Sequence, residues 1–266
     1  MPETLQFEMR GSVALLTFDR PERNNALTPA MRDHYFDLLD QCRDDPEVRA
    51  VVLTGAGKSF SVGADVQSLK SSGQHTIDRI RQPGRPVHYS LSFPKPLIAA
   101  INGACAGVSF VHALCCDIRF AAAGAKLTTA FARRGLIAEY GISWLLPRLV
   151  GQSKALDLLL SARVVLAEEA ERIGLINATF PREELLGAAL TYANDLAENC
   201  SPASLAAIKR QVYGDYTRSL DEAAAIALEE MVGSFRRPDV REGAASFIER
   251  RKPEFPPYPA PPSEDA

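Results

Sequence analysis

The sequence predicts an α/β fold, and three observations carry that prediction. The first is Lys95 to Phe120, where Leu97 to Ile101 is a short, unbroken apolar run with polar flanks, the pattern of a strand buried on both faces. Asn102 and Gly103 supply a turn, Gly107 opens Val108 to Cys115, a core helix apolar almost all round, and Asp117 to Ala121 returns to strand character. A buried strand, a glycine turn and a buried helix form the junction where α/β proteins place ligands. The second observation is a pair of N-terminal strand patterns, Leu5 to Met9 and Val13 to Phe18, joined by Arg10-Gly11-Ser12 as a hairpin. The third is a switch to helical patterns alone after Ser201.

Taken in order, the hairpin is followed by a polar loop, Arg20 to Leu27. Thr28-Pro29 reads as an N-cap with proline at the first helical position. Met31, Tyr35, Leu38, Leu39 and Cys42 then fall at helical spacing, to about Arg43, before Asp44-Asp45-Pro46 ends the helix. Ala50 to Leu53 is a buried strand, and Thr54 to Asp65 a second glycine loop. Val66 to Pro94 turns polar and predicts a mobile helical segment. Lys126 to Phe131 reads as a strand or ledge, Gly135 to Gly141 as a loop, and Ile142 to Val150 and Ser153 to Ser161 as helices. Ala167 to Ile173 and Arg182 to Asn199 are further helices, with a short strand near Leu175 to Ala178 between them. Pro202 to Tyr213, Leu220 to Phe235 and Pro238 to Arg251 complete the helical end, and the proline-rich tail after Pro253 is expected to fray. The expected organisation is a core over residues 1–200 and a helical oligomerisation region over 201–266.

The chain of 266 residues is long enough for one large α/β domain, and its net charge of −3 comes without a basic block. Nucleic-acid binding is not indicated. Five cysteines, at 42, 105, 115, 116 and 200, show neither CxxC nor Cys/His spacing, which argues against a disulfide framework or a zinc site. They read as reduced core residues and suit a cytoplasmic protein, the one alternative being a reactive Cys105 beside the glycine turn. Met1 to Thr4 leads directly into strand-like sequence, with no signal peptide expected, and no apolar run is long enough to span a membrane.

Each glycine loop leaves a buried strand and enters a helix, so each can present a backbone N–H at a helix start. Two such amides aimed at one carbonyl oxygen make an oxyanion hole; alone, however, the pattern also fits ordinary tight turns. The blocks RPERNNAL, GKSFSVGAD, KPLIAAINGACAG with the CDIRFA that follows, and GLIAEYGISWLLPRLVG resemble, in order, those of the enoyl-CoA hydratase/isomerase family, the crotonases. The resemblance covers about Leu5 to Phe255. It implies a crotonase spiral of ββα units with a C-terminal all-helical region, assembled as trimers or as hexamers made of two trimers. It also implies an acyl-CoA thioester substrate, with coenzyme A as part of that substrate and no metal or other cofactor.

Residue by residue, the resemblance matches Ala64 to the first oxyanion amide and Val108, where the family usually has glycine, to the second. Gly63, Asp65 and Gly107 flank these amides, and Asp65 also reads as a cap for the next helix. Asn25, Ala26 and Leu27 match the segment lining the CoA adenine region. Arg23 and Lys58 are placed to meet CoA phosphates or ribose, or are solvated surface charge. Lys252 matches a basic position that reaches a CoA phosphate, in some members across a subunit boundary. The two glutamates of a hydratase fall at Val111 and Phe131, so hydration by that pair cannot run, and both side chains are expected against the substrate.

Glu139 remains. It lies where some family members place a catalytic aspartate, and a desolvated carboxylate there can take a proton from one carbon and return it to another. Its other reading is a cap for the helix from Ile142. Arg133 and Arg134 could pair with Glu139 or hold a neighbouring subunit. His112 reads as a core histidine, and Trp144 and Tyr140 as packing. The expected activity is double-bond isomerisation of an unsaturated acyl-CoA. Competing readings are a hydratase using Glu139 alone and a non-catalytic acyl-CoA-binding homologue.

Overall fold

A computed structural model describes residues 4–65 and 84–258. The six-stranded sheet has the order β1 (Leu5–Arg10), β2 (Val13–Phe18), β3 (Ala50–Gly55), β5 (Leu97–Ile101), β7 (Ile118–Ala122), β10 (Ala178–Phe180). Only the β1–β2 hairpin is antiparallel. A smaller sheet runs β4 (Ser59–Ser61), β6 (Ala104–Ala106), β8 (Lys126–Thr128), β9 (Val165–Leu166), the first three parallel. Each passage through the spiral therefore gives one long strand to the large sheet and the next short strand to the small one: β3 then β4, β5 then β6, β7 then β8.

The turn between the sheets is tight. At Gly103 a Cβ would lie 2.0 Å from the Lys58 carbonyl oxygen, so only glycine lets β5 pass into β6. The short strands are hidden from the periodicity of the sequence, because three residues are too few to show an alternation.

Helix α1 (Pro29–Asp44) begins as predicted, with the Thr28 hydroxyl accepting from the Met31 amide and proline at the first turn. Tyr35, Phe36, Leu38 and Leu39 face the core. Helix α2 (Val108–Leu114) is buried at every position. Its neighbours in chain order are α3 (Ile142–Val150), α4 (Gln152–Ser161), α5 (Ala167–Arg172) and α6 (Arg182–Asn199), which crosses β3, β5 and β7. Helices α7 (Pro202–Gly214), α8 (Leu220–Phe235) and α9 (Pro238–Glu249) follow.

Three expectations change. The strand expected near Leu175 to Ala178 is β10, three residues later; Leu175 and Ile176 are buried because their amides close the end of α5 on the Ala170 carbonyl. The tail after Pro253 is held as far as it is described. Arg49 donates to the Phe255 carbonyl at 2.8 Å, and the Glu254 amide donates to Glu242 at 2.6 Å. Of the helical segment expected over Val66 to Pro94, residues 66–83 lie outside the described residues, and Val87–Ser92 is 3-10 helix.

Asp117 ties the helical end to the sheet. One carboxylate oxygen accepts from the Leu97 amide (2.8 Å) and pairs with Lys209 (2.6 Å), and the other accepts from the Tyr213 hydroxyl (2.8 Å). Lys209 also donates to the Lys95 carbonyl, so the α7 ammonium closes on the start of β5. Removing one partner of a largely buried ion pair strands the other charge. Asp117→Ala is therefore expected to lower unfolding free energy by about 3 kcal/mol, measured by urea denaturation.

Candidate active site

The two glycine loops meet. Gly63 has φ +93°, a backbone that L side chains rarely adopt, and a Cβ on it would lie 2.7 Å from the Ala106 carbonyl oxygen and 3.6 Å from the Gly107 Cα. Gly107 has φ 56° and leads into the first residue of α2. Glycine is needed at Gly63 for both reasons, conformation and close approach. The contact brings Ala64 and Val108 side by side at the C-terminal ends of β4 and β6. Neither amide has an acceptor among the described residues. Two free N–H groups on adjoining loops are what a developing oxyanion requires. The Val108 side chain is packed into the core, so the valine does not cost the site its amide.

Polar side chains that the sequence did not mark hold these loops in register. The Ser61 hydroxyl bonds the Asn25 carbonyl at 2.5 Å and the Ser109 hydroxyl at 2.6 Å, tying the first loop to α2. Asn24 and Asn25 both have positive φ, which asparagine tolerates. Residues 24–27 then run beside 62–65: the Leu27 amide donates to Gly63 and the Asp65 amide to Leu27. Nothing in the pattern of the sequence distinguishes these serines from solvent-facing ones; only the pairing of strands three residues long shows their role.

Asn25 is corrected. Its side chain is fully buried, with Nδ2 donating to the carbonyls of Ala56, Ser59 and Phe60 and Oδ1 accepting from the Arg20 amide at 2.8 Å. Both Nδ2 hydrogens and one side of Oδ1 are engaged within the protein, so the side chain braces these loops. Ala26 and Leu27 are buried beside it. Asp65 pairs with Arg20 at 2.7 Å, an arginine that also donates to the Ala26 carbonyl; the segment Asp65 was expected to cap lies outside the described residues.

Glu139 is half-buried in the loop before α3, which packs on α2. Among the described residues its carboxylate has no hydrogen bond or ion pair, and burial raises its pKa above the ordinary glutamate value. The capping reading fails, because Gly141 is the N-cap and the Ile142 amide is taken by the Glu139 main-chain carbonyl at 3.1 Å. Tyr140, the next residue, has φ 56°, a conformation costing about 1–2 kcal/mol in a non-glycine residue. Arg133 does not reach Glu139; it donates to the Ser161 carbonyl.

The remaining positions separate. Val111 and Phe131 are buried in the core. His112 is buried between Tyr35 and Phe36 with neither ring nitrogen hydrogen-bonded among the described residues, so it is a core histidine but an unsatisfied one. Burial drives its pKa down to about 3, which keeps it neutral. Cys105 is fully buried and its thiol is pushed up by burial, which removes the reactive-cysteine alternative. Arg23 and Lys58 are exposed, and Lys252 pairs on the surface with Glu198 at 2.5 Å. Among the described residues no His, Cys, Asp and Glu cluster could hold a metal, and no helix is long and apolar enough to cross a membrane.

The sequence profile of the enoyl-CoA hydratase/isomerase family matches residues 8–257. The chain belongs to that family. It is 35% identical to a probable enoyl-CoA hydratase of Rhodobacter capsulatus, covering 95% of this chain and 97% of that one. It is 32% identical to the 1,2-epoxyphenylacetyl-CoA isomerase of Escherichia coli, covering 96% and 99%. The crystal structure of a probable enoyl-CoA hydratase/isomerase from Mycobacterium abscessus superposes with a TM-score of 0.87 at 31% identity, over 96% and 99% of the two chains. The two-sheet spiral is thus the crotonase fold.

Gly63→Ala tests the contact between the loops. The added methyl meets the Ala106 carbonyl at a disfavoured φ, so an unfolding free energy lower by about 2 kcal/mol is expected in urea denaturation.

Proposed function

We propose that the protein moves a double bond in an unsaturated acyl-CoA by proton transfer through an enolate. The observation that carries this reading is Glu139: a half-buried carboxylate with no partner among the described residues and a raised pKa, in a fold whose two hydratase carboxylate positions are Val111 and Phe131. The thioester oxygen would accept from the Ala64 and Val108 amides. That interaction strengthens as negative charge develops, which makes the α-carbon proton removable. Glu139 would take a proton from one carbon and return it at another, with no activated water. The isomerase name of the Escherichia coli relative is consistent with proton chemistry on this platform. Coenzyme A is part of the substrate in this reading, and no separate cofactor is required.

The names of several relatives favour a second reading, hydration. Here Glu139 alone would activate water and protonate the α-carbon. Incubation of the protein with 3-enoyl- and trans-2-enoyl-CoA esters separates the two readings. Double-bond migration at constant mass supports isomerisation; a gain of one water overturns it in favour of hydration. Turnover of neither ester would favour a non-catalytic binding protein. Glu139→Gln is expected to lower kcat by about 10²–10⁴ while acyl-CoA binding is retained.

The pH profile follows from the same carboxylate. A general base must be ionised, so kcat falls as pH drops through the Glu139 pKa. Because burial raises that pKa, the acid limb should lie above the ordinary glutamate value and disappear from the residual activity of Glu139→Gln.

We also infer that the protein is a cytoplasmic homo-oligomer of three or six chains. Leu220, Phe235, Phe247 and Ile248 on the C-terminal helices are 67–85% exposed in the single chain, large apolar side chains that a partner chain could cover. Sedimentation at micromolar concentration should give a trimer or hexamer, and a monomer would contradict the inference.

A further inference from the structure

Glu139 is joined to α3 by a turn of unusual hand. Its carbonyl accepts from the Ile142 amide at 3.1 Å, which closes a four-residue turn over Tyr140 and Gly141. Both central residues have positive φ, 56° at Tyr140 and 78° at Gly141, the pattern of a type I′ turn. Glycine is ordinary at the second of these positions. At the first, asparagine, aspartate or glycine is favoured, and this chain has tyrosine. Asn24, Ala162 and Arg250 also have positive φ, but each closes a helix, where a left-handed residue is a common stop. Tyr140 precedes one.

The hand of the turn decides where the Glu139 side chain goes. With right-handed backbone at Tyr140 and Gly141, the same hydrogen bond would extend α3 backwards through Glu139. The carboxylate would then stand in the first helical turn, where unpaired amides and the positive end of the helix dipole favour its charged form. The left-handed turn starts the helix at Ile142 instead. It commits the Glu139 main-chain carbonyl to the helix and leaves the carboxylate off it, half-buried, with no hydrogen bond or ion pair among the described residues. Burial alone raises its pKa, and no charged group among the described residues contributes.

We propose that the Tyr140–Gly141 turn is a positioning device for the acid/base: its left-handed backbone keeps the Glu139 carboxylate from capping α3. This role rests on the reading of Glu139 as the proton carrier, and both turn residues act through Glu139 without touching substrate. A Cβ on Gly141 would meet no atom within 4 Å, so Gly141→Ala disfavours the hand of the turn without a clash and leaves the Tyr140 ring in place. Tyr140→Val acts in the same direction, since a branched side chain tolerates positive φ least. Tyr140→Gly keeps the hand and removes only the ring.

NMR titration of the Glu139 carboxyl in the full chain tests the proposal, beside kcat and KM for a 3-enoyl-CoA ester. In Gly141→Ala and Tyr140→Val the carboxyl is expected to titrate at lower pH than in the wild type, with kcat lower by about tenfold and KM little changed. In Tyr140→Gly it should titrate as in the wild type. Titration needs no turnover, so the same shifts in a protein that turns over no ester would support the role of the turn and count against the proposed reaction. The proposal is overturned if Gly141→Ala titrates as the wild type does, or if it titrates lower with kcat unchanged. It is equally overturned if Tyr140→Gly shifts as far as Tyr140→Val, since the ring and not the backbone would then hold the carboxylate.

Discussion

The approach of Gly63 to the Ala106–Gly107 backbone is the constraint on which the rest of the site depends. No side chain fits between those two loops, since a Cβ on Gly63 would lie 2.7 Å from the Ala106 carbonyl oxygen. The Ser61–Ser109 hydrogen bond and the Asn25 brace hold that arrangement from behind, in a region with no water to compete. The Ala64 and Val108 amides are thereby held without an acceptor among the described residues, the arrangement the proposed oxyanion role needs, because preorganised donors stabilise a developing charge without reorganising.

Around this pair the sheet is built to place chain ends. Each long strand of the large sheet feeds, through a turn such as Gly103, a short strand whose end delivers either a free amide or a loop. Core volume does the remainder: Val111 and Phe131 fill positions where charge would demand a partner, and Glu139 is left as a half-buried acid beside α3. Acid–base chemistry at one carboxylate needs that acid neither solvated nor paired. Glu139 is partly desolvated and has no hydrogen bond or ion pair among the described residues.

The long elements were legible because burial writes itself into periodicity. The run at Leu97 to Ile101, the capped start at Thr28-Pro29 and the all-apolar α2 are found where the pattern sets them. The family blocks placed Ala64, Val108 and Glu139 on loops, and the structure joins the first two. What stayed hidden depends on contacts between residues distant in sequence. Asn25 looks like a loop polar residue until two carbonyls of β4 and one of the turn before it converge on its amide. Ser61 and Ser109 are serines forty-eight positions apart until β4 and α2 meet. The strand after α5 was misplaced because Leu175 and Ile176 are apolar for the sake of a helix end.

Exchange of the α-proton tests the central claim most directly. A saturated ester such as butyryl-CoA has no double bond to move or hydrate, so incorporation of deuterium at its α-carbon in D₂O, followed by NMR, reports only enolate formation and the proton shuttle. The account predicts that the wild-type protein exchanges this proton and that Glu139→Gln, still binding the ester, does not. Exchange that continues undiminished in the variant would show that another group carries the proton, and the assignment of Glu139 would be wrong.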